Sequence, residues 1–99
     1  MVPLDEIVAV LGADDYVELR LTNGRSLLHA DRLDRLEAEL SPSFQRIHRS
    51  VLANLAHATG YDRTSGRLRL KVRCGPALPI SRNRANAVKV ALHSWGSGA

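Results

Sequence analysis

Residues 16–21 alternate strictly, with Val17, Leu19 and Leu21 on one face and Tyr16, Glu18 and Arg20 on the other. A period of two marks a half-buried strand. Asn23-Gly24 follows, a dipeptide suited to a type I′ hairpin turn because both central positions need φ > 0. Residues 25–30 then form the return strand. Upstream, residues 7–11 are continuously apolar, the pattern of a buried strand, and residues 12–15 (Gly-Ala-Asp-Asp) have turn composition. Downstream, Asp31 is placed to cap a helix whose Leu33, Leu36 and Leu40 share one face. Ser41-Pro42-Ser43 ends that helix, which is expected to lie over the open end of a sheet and close the core.

The chain is organised around residues 44–54, Phe-Gln-Arg-Ile-His-Arg-Ser-Val-Leu-Ala-Asn. Phe44 and Ile47 favour a strand, and Val51, Leu52 and Leu55 resume the apolar pattern. Between them stand His48, Arg49 and Ser50. Three successive hydrogen-bonding side chains would each need an internal partner if buried, so they are expected at a polar rim. Together they offer a fixed charge, a hydroxyl and an imidazole, groups suited to a polyanion.

Residues 56–61 are weakly patterned, a further short strand at most, and residues 63–66 form a turn. Residues 67–73 alternate again, with Leu68, Leu70 and Val72 inward and four cations outward. Such a ladder suits an edge strand protected from association; the alternative is a β-ribbon laid in a nucleic-acid groove. The edge reading is favoured, since no aromatic or amide side chain breaks the ladder to read bases. Cys74-Gly75-Pro76 turns the chain, and Leu78-Pro79-Ile80 is a strand stub restricted by its proline. Ser81 has the position of an N-cap for a helix over residues 82–93, with Ala85, Val88 and Leu92 as its stripe. Arg82 and Arg84 would lie in its first turn, against the helix dipole, where they and the backbone N–H groups could cradle phosphate. Residues 94–99 are Gly/Ser-rich and read as a flexible tail that includes Trp95.

The 99 residues make one domain of ordinary soluble composition, 44% hydrophobic and 24% charged. No apolar run approaches the roughly 20 residues that span a bilayer. The single cysteine, Cys74, cannot form an internal disulfide, so a reducing cytoplasm is the expected location. The four histidines show no i,i+4 pairing and there is no Cys-x-x-Cys, so no structural zinc is expected. Charge is what changes the picture. Residues 1–45 hold nine acids and four arginines, a net of −5, whereas residues 46–99 hold ten Lys/Arg and only Asp62, a net of +9. A basic half is the footprint of a phosphate-backbone binder, or of a partner for any acidic surface.

Several motifs together resemble the LytTR DNA-binding domain of bacterial response regulators: Leu4-Asp5-Glu6-Ile7, the strand from Asp15 to Leu19, the Asn23-Gly24 hairpin, Leu33-x-x-Leu-Glu, Phe44-x-Arg-Ile-His-Arg-Ser-x-Leu-x-Asn, and Leu78-Pro79-Ile80-Ser81-Arg82. The similarity runs over residues 3–92, and it implies a DNA-binding domain over residues 1–93 with 94–99 as tail. The implied fold is mainly β, an elongated stack of small antiparallel β-sheets with a short mid-chain helix and a C-terminal helix. The implied function is sequence-specific binding of double-stranded DNA by a bacterial transcription regulator. Loops would enter successive major grooves at direct repeats and bend the duplex. A receiver or sensor domain is expected in the parent chain, of which this would be a fragment, and copies are expected to meet only on DNA. The resemblance carries no cofactor, no metal and no catalytic residue.

Three contact regions carry over. The first is Asp14-Asp15, where the match is poor: Asp15 could accept from cytosine N4 or simply form the turn. The second is His48-Arg49-Ser50, with Arg49 reading guanine, Ser50 on phosphate, and His48 either in contact or structural. Asn54 is expected to satisfy local backbone groups. The third is Ser81-Arg82-Asn83-Arg84, with Arg82 a second base reader, Asn83 and Arg84 on phosphate or sugar, and Arg84 alternatively plain surface charge. The strand that ordinarily precedes residue 7 in the family looks short or missing. An enzyme built on Cys74, His48 and Asp15 lacks any supporting motif. A protein-interaction or RNA-binding module is the remaining alternative, though aromatics at 4% offer few stacking platforms.

Overall fold

The computed structural model describes residues 2–12 and 15–97. After a 3₁₀ turn (Leu4–Glu6) come β1 (Ile7–Gly12), β2 (Tyr16–Leu21), β3 (Ser26–Ala30), α1 (Leu33–Leu40), β4 (Phe44–His48) and β5 (Val51–Asn54). These strands form one antiparallel sheet in the order β3-β2-β1-β5-β4. A 3₁₀ turn (Leu55–His57) leads to a second antiparallel sheet of β6 (Ala58–Thr64), β7 (Arg67–Val72) and β8 (Leu78–Pro79). A last 3₁₀ turn (Arg82–Arg84) runs into α2 (Ala85–Ser97). The mainly β architecture of two sheets with two short helices is the one anticipated, but the envelope of 31 × 28 × 25 Å is nearly isotropic and not elongated as expected, because the second sheet and α2 pack onto the face of the first.

The continuous apolar run of β1 has a direct cause. β1 is the middle strand and carries a core on each face. On one face Ile7, Val10, Val17, Phe44 and Leu52 pack under Leu33 and Leu36 of α1. On the other, Ala9, Ile47, Val51 and Ala53 meet Leu68, Leu70 and Leu78 of the second sheet and Val88 of α2. Successive residues of β5 therefore serve opposite cores, Leu52 one and Val51 and Ala53 the other. Each fully buried Leu, Ile or Phe contributes roughly 1.5–3 kcal/mol.

Several local expectations are corrected. The Asn23-Gly24 hairpin forms, but only Gly24 has positive φ (84°). The Gly24 N–H donates to Leu21 O and the Leu21 N–H to Arg25 O, the three-residue hairpin with a glycine bulge, and not type I′. The Asn23 side chain instead accepts from the Arg25 N–H at 2.9 Å. A type I′ turn occurs at Ser65-Gly66, with φ of 53° and 79° between the paired Thr64 and Arg67, so β6 extends beyond the expected turn at residue 63. Arg32, not Asp31, is the N-cap of α1, and its side chain makes no cap bond. Asp31 accepts from the Arg32 N–H at 2.8 Å and grips the Arg35 guanidinium. That grip, with the backbone bond second, holds the Asp31 carboxyl well below the usual carboxylate range.

β7 is no edge. It lies between β6 and β8, so its cations do not protect an open flank as expected. Ser81 precedes the 3₁₀ turn without a side-chain cap, and α2 begins only at Ala85. Its stripe of Ala85, Val88 and Leu92 packs as anticipated, and the helix continues beyond residue 93 to Ser97. Neither described helix is long and apolar enough to cross a membrane.

Candidate nucleic-acid interface

Three segments converge where β1 ends and β5 begins. Leu11 pairs with Val51 and Gly12 with Val17, so the β1–β2 connection and the β4–β5 turn leave the sheet at the same end. The Gly12 N–H donates to Ser50 O at 2.8 Å. From the other sheet, the Ser81 N–H donates to Ile47 O at 2.9 Å, and the Ser81 hydroxyl donates to the same oxygen at 3.5 Å. The base of the third region is thus bonded directly to the base of the second.

His48 pairs with Val51, leaving Arg49-Ser50 as a two-residue turn. Neither residue has positive φ, so this is not the I′ or II′ turn whose twist matches the flanking strands. A register shift between Arg46 and His48 takes up the mismatch. Arg46 holds the result in place. Period two from Phe44 puts its side chain on the α1 face, 9% exposed. There its Nε donates to His48 O at 2.9 Å and its Nη2 to Arg49 O. Its Nη1 donates to Asp34 Oδ1 at 2.9 Å and Glu37 Oε1 at 2.8 Å. A single guanidinium therefore fixes both carbonyls of the turn and ties them to α1. Sequence reasoning passed over Arg46. The available signal was an arginine in register with a core phenylalanine, preceded by two acids three positions apart on one helix face.

A second strap lies within the turn. His48 Nδ1 accepts the Ser50 N–H at 3.2 Å and stands 2.9 Å from Ser50 Oγ. A backbone N–H can only donate, which assigns the proton of neutral His48 to Nε2. His48 and Ser50 are half-buried, while Arg49 is exposed. Arg82 and Asn83 are exposed and Arg84 is half-buried. Arg82 and Arg84 sit in the 3₁₀ turn ahead of α2 and not in its first α-helical turn, which corrects the expected helix cradle. Neither Arg49 nor Arg82 makes an ion pair among the described residues. Asp15 is exposed directly before β2; Asp14 lies outside the described residues.

Two hollows meet at His48. One, of about 590 Å³, lies between the start of α1 and the turn, against Arg46, Arg49 and Ser50. The other, of about 390 Å³, reaches from His48 and Arg82 to the tip of the β6–β7 hairpin. Cys74 lines a third hollow with Arg20 and Arg25, to which His48 does not contribute. No metal-binding group of three His, Cys, Asp or Glu occurs among the described residues. Asn54, 3% exposed, does more than the local work expected of it. Its Oδ1 accepts from Ala56 N–H at 3.0 Å, while its Nδ2 donates to Ile7 O at 2.8 Å and Leu4 O at 3.3 Å, which anchors the start of β1.

Known proteins resemble this chain in sequence and in fold. The chain is 33% identical over 96 residues to the positive alginate biosynthesis regulatory protein of Pseudomonas aeruginosa, covering 94% of this chain and 38% of that protein. It thus spans well under half the length of that relative. The fold superposes with a TM-score of 0.79 on the LytTr DNA-binding domain of a Bacillus cereus protein described as a methyl-accepting/DNA response regulator, at 24% identity and covering 92% of this chain and 84% of that one. Residues 1–93 match the family model of the LytTr DNA-binding domain, and the chain belongs to that family.

Proposed function

We propose that this domain binds double-stranded DNA sequence-specifically, as the DNA-reading part of a bacterial transcription regulator in the cytoplasm. The observation that carries the reading is the pairing of two exposed arginine tips, Arg49 and Arg82, on segments joined by the Ser81–Ile47 hydrogen bond. Both are without an ion pair among the described residues and both belong to the basic half of the chain. Each reads a guanine through O6 and N7, a contact worth about 1–3 kcal/mol of discrimination. Ser50, Asn83 and Arg84 contact phosphate or sugar and set the register. His48 acts mainly by bracing Ser50, with Nε2–H left to donate. Asp15 accepts from a cytosine amino group where the sequence offers one. Direct repeats engaged in successive major grooves, bending of the duplex, meeting of two copies only on DNA, and control by a receiver or sensor domain of the parent chain complete the proposal.

Selection of bound duplexes from a random pool, followed by titration of the enriched and scrambled sites, tests it. Arg49→Ala and Arg82→Ala each reduce the preference for the enriched site by roughly 5- to 150-fold while leaving salt-dependent background binding. Arg84→Ala weakens all sequences alike. Absence of retardation at both low and moderate salt would refute the reading.

A further inference from the structure

We infer that the tip of the β6–β7 hairpin is a phosphate clamp that extends the proposed DNA surface beyond its three loops. The inference rests on the DNA reading above. The hollow of about 390 Å³ is walled on one side by His48, Ser81 and Arg82 and on the other by Arg63, Arg67 and Arg69 of the hairpin. Four arginines contribute to the lining of one concavity, Arg63 from the face it shares with Leu68, and Arg67 and Arg69 from the alternate positions of β7, and no acidic residue lines it. The one acid of the hairpin, Asp62, stands opposite Arg69 in the register yet makes no ion pair with it.

The hairpin arginines have donors to spare. Arg63 donates from Nη1 to Gly66 O at 3.3 Å, and Arg69 from Nη2 to Thr64 Oγ1 at 3.4 Å. Arg69 Nε is buried without a partner among the described residues. Such crowding of like charge with unspent donors is relieved by an anion. A nucleic-acid backbone suits this wall of arginines, whose lining adds no Asn, Gln, Phe, Tyr or Trp. The place of β7 in the middle of its sheet removes the edge-protection explanation for the cation ladder. A duplex brought to Arg82 has this wall beside it, and the hairpin grips the strand that passes.

The test compares wild type with Arg63→Gln/Arg67→Gln/Arg69→Gln and with the matching triple lysine variant, circular dichroism confirming the fold of each. Affinity for an enriched and a scrambled duplex is measured over roughly 50–200 mM salt. Each phosphate contact adds about −0.9 to the slope of log affinity against log salt, so the glutamine variant loses about 2–3 from that slope. The ratio between the two duplexes stays within about twofold and the lysine variant keeps the wild-type slope. An unchanged slope in the glutamine variant overturns the clamp alone and leaves the loop reading intact. A collapsed ratio with the same variant also overturns it, since the hairpin would then read bases. If wild type binds neither duplex, the DNA reading fails and the clamp with it.

Discussion

Replacing Arg46 with methionine keeps most of the side-chain volume and removes its charge. Two of its hydrogen bonds end on His48 O and Arg49 O. A bond involving a charged group contributes about 1.5–3 kcal/mol, and the open hollow beside the turn lets water partly replace it. The lower end applies, about 3 kcal/mol for the two. The carboxylates matter less, because the Asp34 side chain is 91% exposed and that of Glu37 40%, so together they contribute under about 1 kcal/mol. A loss of about 3–4 kcal/mol is a large share of the 5–15 kcal/mol typical of a domain. It lowers the melting temperature by roughly 12–32 °C. Asp34→Asn/Glu37→Gln is the control and shifts it by less than about 4–8 °C. Release of the two turn residues adds about 1–2 kcal/mol of ordering cost each, so affinity for the preferred duplex falls roughly 30-fold or more. Thermal melts followed by fluorescence anisotropy measure both. A melting shift below about 4 °C with unchanged affinity would refute the clamp role of Arg46.

Three further outcomes are expected. Ser65 occupies the left-handed region at φ 53°, which costs a non-glycine residue about 1–2 kcal/mol; Ser65→Asn relieves part of this and raises the melting temperature by roughly 2–8 °C. A Cβ at Gly12 would stand 2.9 Å from Leu33 Cβ, 3.0 Å from its Cδ2 and 3.2 Å from its Cγ, so Gly12→Ala destabilises by about 1–3 kcal/mol, and a double-mutant cycle in urea with Leu33→Ala, which removes Cγ and Cδ2 but keeps the Cβ, shows losses that are less than additive by part of that amount. The depressed carboxyl of Asp31, held first by Arg35 and then by the Arg32 N–H, contributes stability that is complete above its ordinary value of 3.8 and is lost as pH falls toward the folded value. Acid titration followed by circular dichroism accordingly shows a flatter decline below about pH 4 for Asp31→Asn than for wild type.

Much of this was legible in the residues. Strict alternation exposed β2, and the unbroken apolar run of β1 signalled a buried strand, because periodicity reports which faces are covered. Periodicity does not report which strand covers them. β7 looked like an edge because its neighbour β8 is two residues long and contains Pro79, too little to register as a partner in sequence. Turn type was misjudged for a related reason. Asn23-Gly24 has the I′ composition, yet the chain spends Thr22 in the loop as well and needs positive φ only at Gly24. The polar rim at residues 48–50 was readable from the break in apolar pattern. Arg46 was not, since an arginine inside a strand looks solvent-facing until two acids from a helix twelve and nine positions away are brought against it.

The bond from Ser81 N–H to Ile47 O has a mechanical corollary. It joins the two sheets at the roots of both arginine-bearing tips, in the layer that also holds Ile47, Leu78 and Val88. On the proposed DNA reading, the backbone roots of Arg49 and Arg82 keep the spacing that folding gives them when a duplex arrives. On that reading, variation in groove spacing from one site to another is absorbed by distortion of the duplex, and the stiffness of the intervening base steps enters recognition.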